Sequence, residues 1–289
     1  MIYPNRFQLS RLAKYILTIL AVLLCLVACE TSNVTNQVEQ DQTPHMYLND
    51  TGVISFTQDF TQRSADEPEP QALSAQEDMD APGQDANFGN DRENNSNTDG
   101  SLGFQFVKLG ENGKALAIQN DSYTNQPWAC IQDKLTGLIW EVKTPDGFQQ
   151  AYFSYSWYEP NTLLNGGHAG EANGEPLCGN YLPACNTFEY IKAVNQLNNG
   201  KGLCGLNKWR LPLREELRSI LDYGVISGPM IDTNFFPNAA AEDTWTSQTA
   251  IYQQNDGSEA WEIHFQNGHS EAHKKSADRV VVRLVHDAR

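Results

Sequence analysis

Apolar residues fall along this chain in three regimes, and the regimes divide it. A run from Tyr15 to Leu24 is almost wholly apolar, residues 30 to 100 are polar with few large apolar side chains between Phe60 and Phe88, and after Phe104 apolar positions return at strand and helix spacing. β-type runs occur at 104–107, 128–132 and 138–142. The last two are joined by a tight turn over Lys134 to Gly137, which predicts a hairpin. From Thr144 to Cys185 the chain is rich in Gly, Asn and Pro with interspersed aromatics, including Tyr152, Tyr155, Trp157 and Tyr158, and predicts a long loop region. A helix is expected over 187–198, with Asn186 as cap, Glu189 three positions later, an inner stripe of Ile191, Val194 and Leu197, and Asn199-Gly200 as its end. A second helix is expected from Pro212, turning Leu217, Ile220 and Leu221 inward. Strands follow at 244–247, 260–265 and 279–285, with Asn267-Gly268 as a turn. Strands, two helices, then strands is an α+β order.

The first regime reads as an export signal. Arg6, Arg11 and Lys14 precede the apolar run, which is short of the about 20 residues a membrane-spanning helix needs. Leu26-Val27-Ala28-Cys29 then resembles the lipobox of bacterial lipoproteins. That resemblance implies cleavage before Cys29, lipidation of its sulfur and anchoring in a membrane, each buried methylene adding about 0.8 kcal/mol. Glu30, rather than Asp, in the next position points to the outer membrane. The expected organisation is a signal peptide over 1–28, an acidic tether over 29–81 and one domain over 82–289.

Charge changes the picture of the middle regime. Residues 30–100 hold 15 acidic and 2 basic side chains, whereas residues 101–289 hold 21 and 15, so most of the net charge of −16 belongs to the tether. A segment of that composition buries too little apolar surface to offset its ordering entropy and acts as a self-repelling spacer. No basic stripe exists to neutralise phosphates, so nucleic acid is excluded as a partner. All six tryptophans lie after Phe104. Four cysteines remain besides Cys25 and Cys29: Cys130, Cys178, Cys185 and Cys204. In an exported chain they read as two disulfides, with three connectivities open. Cys178 with Cys185 and Cys130 with Cys204 is the expected choice.

Several blocks carry a resemblance. Trp128 to Asp133, Thr136 to Lys143, Leu203-Cys204-Gly205, Trp209-Arg210-Leu211-Pro212, Glu216-Leu217, Ser219-Ile220, Asp222-Tyr223, Trp245-Thr246-Ser247 and Val282 to Val285 together resemble the Lcl C-terminal domain family. Asp85 to Gly89 and Phe104 to Leu109 look like its lead-in. The resemblance implies a C-type lectin-like fold and a kinship with the end domain of a collagen-like surface adhesin that binds sulfated glycans. The net acidity of this domain argues against strong attraction to sulfated polysaccharides. One departure is Leu213, where the family pattern places a Thr that caps the second helix, a cap worth about 1 kcal/mol.

Candidate chemistry is sparse. Glu159-Pro160-Asn161 is similar to the calcium-dependent sugar motif of C-type lectins, but its Trp-Asn-Asp partner is missing, so a solvated loop is expected. His264, His269 and His273 lie near one hairpin without a carboxylate at defined spacing, and surface histidines are expected. Arg214 and Arg218 share a helix face, and Glu215 and Glu216 are ordinary first-turn acids. No Gly-x-Ser-x-Gly elbow appears. Tyr155, Trp157 and Tyr158, clustered in the long loop, are the candidate ligand-binding residues, able to stack on a sugar ring. No catalytic residue, metal or cofactor is expected. The expected function is a non-enzymatic, lipid-anchored binding module for a glycan or for an envelope or host protein, presented by the loops at 152–185 and 251–276. A structural lipoprotein holding a fixed envelope partner is the alternative, and an envelope hydrolase the more distant one.

Overall fold

The computed structural model describes residues 98–287 apart from Leu102, Pro176, 253–255 and 278–279. The expected signal segment, Cys29, the expected tether and residues 82–97 lie outside the described residues. The elements in chain order are β1 Phe106–Leu109, β2 Cys130–Asp133, β3 Ile139–Glu141, α1 Thr187–Gly200, α2 Arg214–Arg218, β4 Asp243–Thr249, β5 Glu259–His264, β6 Ser270–Lys274 and β7 Val285–His286. The architecture is α+β, with two antiparallel sheets in the orders β1-β2-β3-β7 and β4-β5-β6. No helix among the described residues is long and apolar enough to cross a membrane.

The β2–β3 hairpin forms where its turn chemistry is strongest. The Asp133 carboxylate accepts the Leu135 N–H at 2.9 Å and the Thr136 hydroxyl at 2.7 Å. Gly137 takes φ 76°, a value open to glycine without a Cβ clash, and donates its N–H to the Asp133 carbonyl at 2.8 Å. Ile131 then faces Trp140 across the ladder, both fully buried.

The helices differ from their sequence patterns in instructive ways. Asn186 caps α1 by accepting the Glu189 N–H at 2.9 Å. Regular helix stops before Leu197; Asn198 and Asn199 take left-handed φ of 52° and 59°, a conformation asparagine tolerates. The buried face is Thr187, Tyr190 and Val194, whereas Ile191 and Leu197 are only half-buried. The stripe is rotated because Tyr190 carries its hydroxyl inward to a buried carboxylate. α2 is a single turn that starts at Arg214, two residues later than expected, and still buries Leu217, with Ile220 and Leu221 following it inward. The missing Thr cap at Leu213 is replaced from elsewhere: Gln248 on β4 accepts the Arg214 N–H at 2.7 Å, and Glu216 accepts the Leu213 N–H at 2.7 Å.

The C-terminal run was expected to be one strand and is instead shared between the sheets. Val281 exchanges backbone hydrogen bonds with β4, accepting from Trp245 at 3.0 Å and donating to Asp243 at 2.8 Å, while Val285 pairs with β3 opposite Trp140. Only Val285–His286 satisfies a regular ladder. The residues from Val280 to Val285 are all buried, since each sheet covers part of them. β6, for which only the preceding Asn267-Gly268 turn had a sequence signal, completes the second sheet as its edge.

At the seam lies a buried polar knot. The Glu141 carboxylate accepts from the Tyr190 hydroxyl, from Gln149 Nε2 at 3.0 Å and from the Leu284 N–H at 3.0 Å, with the Lys143 ammonium at 3.4 Å. Arg283 donates to the Glu141 carbonyl at 2.8 Å. Burial pulls the Lys143 ammonium down to about 8, against the favourable field of Glu141, and the Arg283 guanidinium down to about 10.

Two disulfides bind the loops to this frame, Cys130–Cys204 across 74 residues and Cys178–Cys185 across 7. Loop-closure entropy grows with the length closed, so replacing Cys130 and Cys204 by Ser is expected to cost about 4 kcal/mol and replacing Cys178 and Cys185 about 2 kcal/mol. Guanidinium unfolding of the two double variants checks the order; a larger loss from the short bridge would contradict it.

Candidate binding groove

The segment that carries the expected ligand residues is extended. Ser154 bridges to Val281, Ser156 to Asn186 and Tyr158 to Gly170, and residues 154–157 are all buried. Tyr155 and Trp157 are each 1% exposed. Tyr155 sits 4.9 Å from the Tyr190 ring and donates its hydroxyl to the Phe148 carbonyl, and Trp157 donates its indole N–H to the Thr246 carbonyl at 2.9 Å. These two aromatics therefore cannot stack on a ligand: the expected loop is a strand-like insert bridged to Asn186 on one side and Val281 on the other, and it is covered on both faces. Tyr158 is half-buried and reaches the surface.

That surface is a groove of about 860 Å³, walled by the 157–166 segment, the start of α1, the 210–214 segment and the end of β4. Tyr158, Leu163, Leu164, Leu213, Arg214 and Trp261 are its characteristic side chains. Leu163 is 89% exposed and Leu164 61%.

The leucine-bearing loop is tied down by local turns and by one buried cation. Leu164 and Asn165 donate backbone N–H groups to the Asn161 carbonyl at 2.9 and 3.1 Å. The buried Asn165 side chain donates to the Glu159 carbonyl at 3.1 Å and accepts the Gly167 N–H at 3.0 Å. Lys275, fully buried, spends its three donors on the Asn165 carbonyl at 2.8 Å, the His168 carbonyl at 2.6 Å and the Thr249 hydroxyl at 3.0 Å. Its Nζ lies 4.1 Å over the Trp157 ring. Burial pulls this ammonium down to about 8. Gly166 meets Thr249 so closely that an added Cβ would lie 2.7 Å from its side chain, so the loop is seated directly on β4.

The opposite wall is built from charges that satisfy one another. Arg210 makes a bidentate pair with Glu216 at 2.7 and 2.8 Å and also holds Asp287. Arg214 pairs with Glu215 at 3.0 Å and lays its guanidinium 4.7 Å over the Trp261 ring. The Glu159 carboxylate accepts the Asn161 N–H at 2.8 Å and the Asn161 side chain accepts the Leu163 N–H at 3.0 Å, so both polar members of the lectin-like tripeptide are engaged in their own turn. His264 lies 3.4 Å from Asp243 and His273 3.1 Å from Glu262, while His269 is exposed on the turn between β5 and β6. Among the described residues no three His, Cys, Asp or Glu side chains are grouped to hold a metal.

The groove lies beside the loop region that the sequence singles out, and its exposed leucines are not among the residues expected there. Leu163, Leu164 and Leu213 carry no motif, and Trp261 sits in a run that reads as an ordinary strand. The one available signal was the adjacent leucine pair inside a Gly- and Asn-rich loop.

The family model of the Lcl C-terminal domain matches residues 129–286. No curated protein and no solved structure matches the chain.

Lys143 and Lys275 share a pH signature. Their folded values near 8 lie below the ordinary 10.5, so between those limits the unfolded chain holds protons that the folded chain has released, and stability rises with pH there. The guanidinium midpoint is expected to be higher at about pH 9.5 than at about pH 7.5; a fall would contradict the burial of both ammonium groups.

Proposed function

The chain belongs to the Lcl C-terminal domain family, and on that premise we propose a non-catalytic, lipid-anchored binding module of the bacterial envelope whose ligand site is the groove beside the 159–168 loop. The carrying observation is the groove itself: its volume of about 860 Å³ suits a ligand, and its apolar rim is held in place by the Lys275 hydrogen bonds. A domain family associated with adhesins fits such a role. Two antiparallel sheets, two helices and long loops stapled by two disulfides support a C-type lectin-like frame.

Cys29 serves as the lipidated residue, and Glu30 directs the chain to the outer membrane. The acidic stretch between anchor and domain then works as a spacer, its like charges keeping the groove away from the surface it is tethered to. The way the groove's polar groups are used supports a binding role. Among the described residues, Arg210 pairs with Glu216, Arg214 with Glu215, and Glu159 accepts the Asn161 N–H.

A photo-activatable amino acid at position 163 of the full chain in its own cells tests this reading. Illumination should give a discrete adduct from position 163 and none from Ile226, which is 92% exposed and outside the groove. Cys29→Ser should move the chain out of the membrane fraction. An adduct from 226 and none from 163 would contradict the groove as the site.

A further inference from the structure

The second sheet ends in an open edge. β6 pairs with β5 in unbroken register, from Glu259 opposite Lys274 to Ile263 opposite Ser270, and among the described residues no strand pairs with its other side. Two flanking bonds set the phase of that ladder: His264 donates its N–H to the His269 carbonyl and Lys275 donates to the Ser258 carbonyl, each at 2.9 Å. Odd-numbered residues of β6 therefore turn their backbone groups toward β5, and Ser270, Ala272 and Lys274 turn theirs outward. Among the described residues that outer row meets one backbone partner, the Ala277 N–H, which donates to the Lys274 carbonyl at 2.8 Å.

Edge strands are kept from pairing by a proline, a bulge, a covering segment or charge. β6 has neither proline nor bulge, so its charges decide what it pairs with. They are divided about Ala272, with Glu271 before it and His273 and Lys274 after it, all three exposed. Glu271 and Lys274 have no ion-pair partner among the described residues, and His273 uses Nδ1 on Glu262 at 3.1 Å, which leaves its Nε2 available. An antiparallel copy of the same strand is the complement of that pattern. Centred on Ala272, it sets Glu271 opposite the second copy's His273 on one face and Ser270 opposite Lys274 on the other, while the two Ala272 residues exchange backbone hydrogen bonds. A shift of two residues, the smallest that keeps the outward groups paired, sets Glu271 against Glu271 or His273 against His273. Charge thus selects one register.

We propose that β6 is the contact surface of a homodimer, pairing antiparallel with β6 of a second copy about a two-fold axis through Ala272, so that two three-stranded sheets join into one of six strands. The contact is isologous, the same five residues serving on both sides. Such an overlap is far smaller than the about 1,200 Å² at which stable interfaces begin, so the dimer is weak and forms according to local concentration. The small Ala272 side chain at the axis lets the two backbones meet without a clash.

A short bis-maleimide crosslinker applied to cells that make the full chain with Ala272→Cys tests this. Across the axis the two substituted positions lie about 5.5 Å apart, Cα to Cα, so a species of twice the chain's mass is expected. Ile226→Cys, at a position 92% exposed and remote in sequence from β6, should give no more of that species than the unchanged chain. Adding Glu271→Lys should cut the Ala272→Cys dimer at least about fivefold, since it replaces two facing pairs of opposite character at once. Glu271 is exposed, and an unaltered guanidinium midpoint for Glu271→Lys separates loss of pairing from loss of fold. No dimer from Ala272→Cys, an equal dimer from Ile226→Cys, or a dimer that Glu271→Lys leaves undiminished would each overturn the proposal. A crosslinked species of any other mass in place of the dimer would overturn the second copy as the partner.

Discussion

One buried carboxylate holds the parts of this fold together. Glu141 sits at the end of β3 with no exposure to solvent, and its partners come from three other stretches, Tyr190 on α1, Gln149 in the following loop and the Leu284 N–H in the C-terminal run, and from Lys143 two residues on. A charge taken out of water costs several kcal/mol, which is recovered only when its hydrogen-bond positions are filled together. The knot therefore forms only when helix, sheet and C-terminal run are all in place, and Arg283, donating to the Glu141 carbonyl, fixes the register of that run. From there the order propagates outward. Val281 ties the run to β4 and Ser154, the 154–158 segment is thereby laid against the sheets, and Lys275 fastens the groove loop over Trp157.

How much of this was legible in the sequence depended on range. The β2–β3 hairpin and the Asn186 cap rest on residues within a few positions of each other, and their signals are visible locally. The Asn267-Gly268 turn is legible for the same reason. Glu141 and Lys143 are plain members of a family block until Tyr190 and Leu284 are brought to them, across 49 and 143 residues. The rotation of the α1 face follows from the same contact, since a tyrosine whose hydroxyl has a buried partner is as much a core residue as a leucine.

The candidate groove was half legible for a related reason. Gly, Asn and Pro around Tyr155 and Trp157 suggest a loop, and a loop suggests exposed aromatics. Three isolated bridges turn that stretch into an extended insert and bury both rings. Exposure moved to Leu163 and Leu164, which composition alone assigns to a core. Lys275 gave no signal at all, because nothing in its neighbourhood in sequence marks it as the buried tie of a loop more than a hundred residues away.

The groove is thus tied to a rigid frame, and the frame to one ion. Unfolding of Glu141→Ala in the full chain tests that dependence most directly. Removing the carboxylate leaves Lys143 and Arg283 buried without their anion and frees the Tyr190 hydroxyl and Leu284 N–H, so a loss of about 3–5 kcal/mol is expected. A loss below about 1 kcal/mol, the range of an exposed ion pair, would contradict the view that the fold is organised around Glu141.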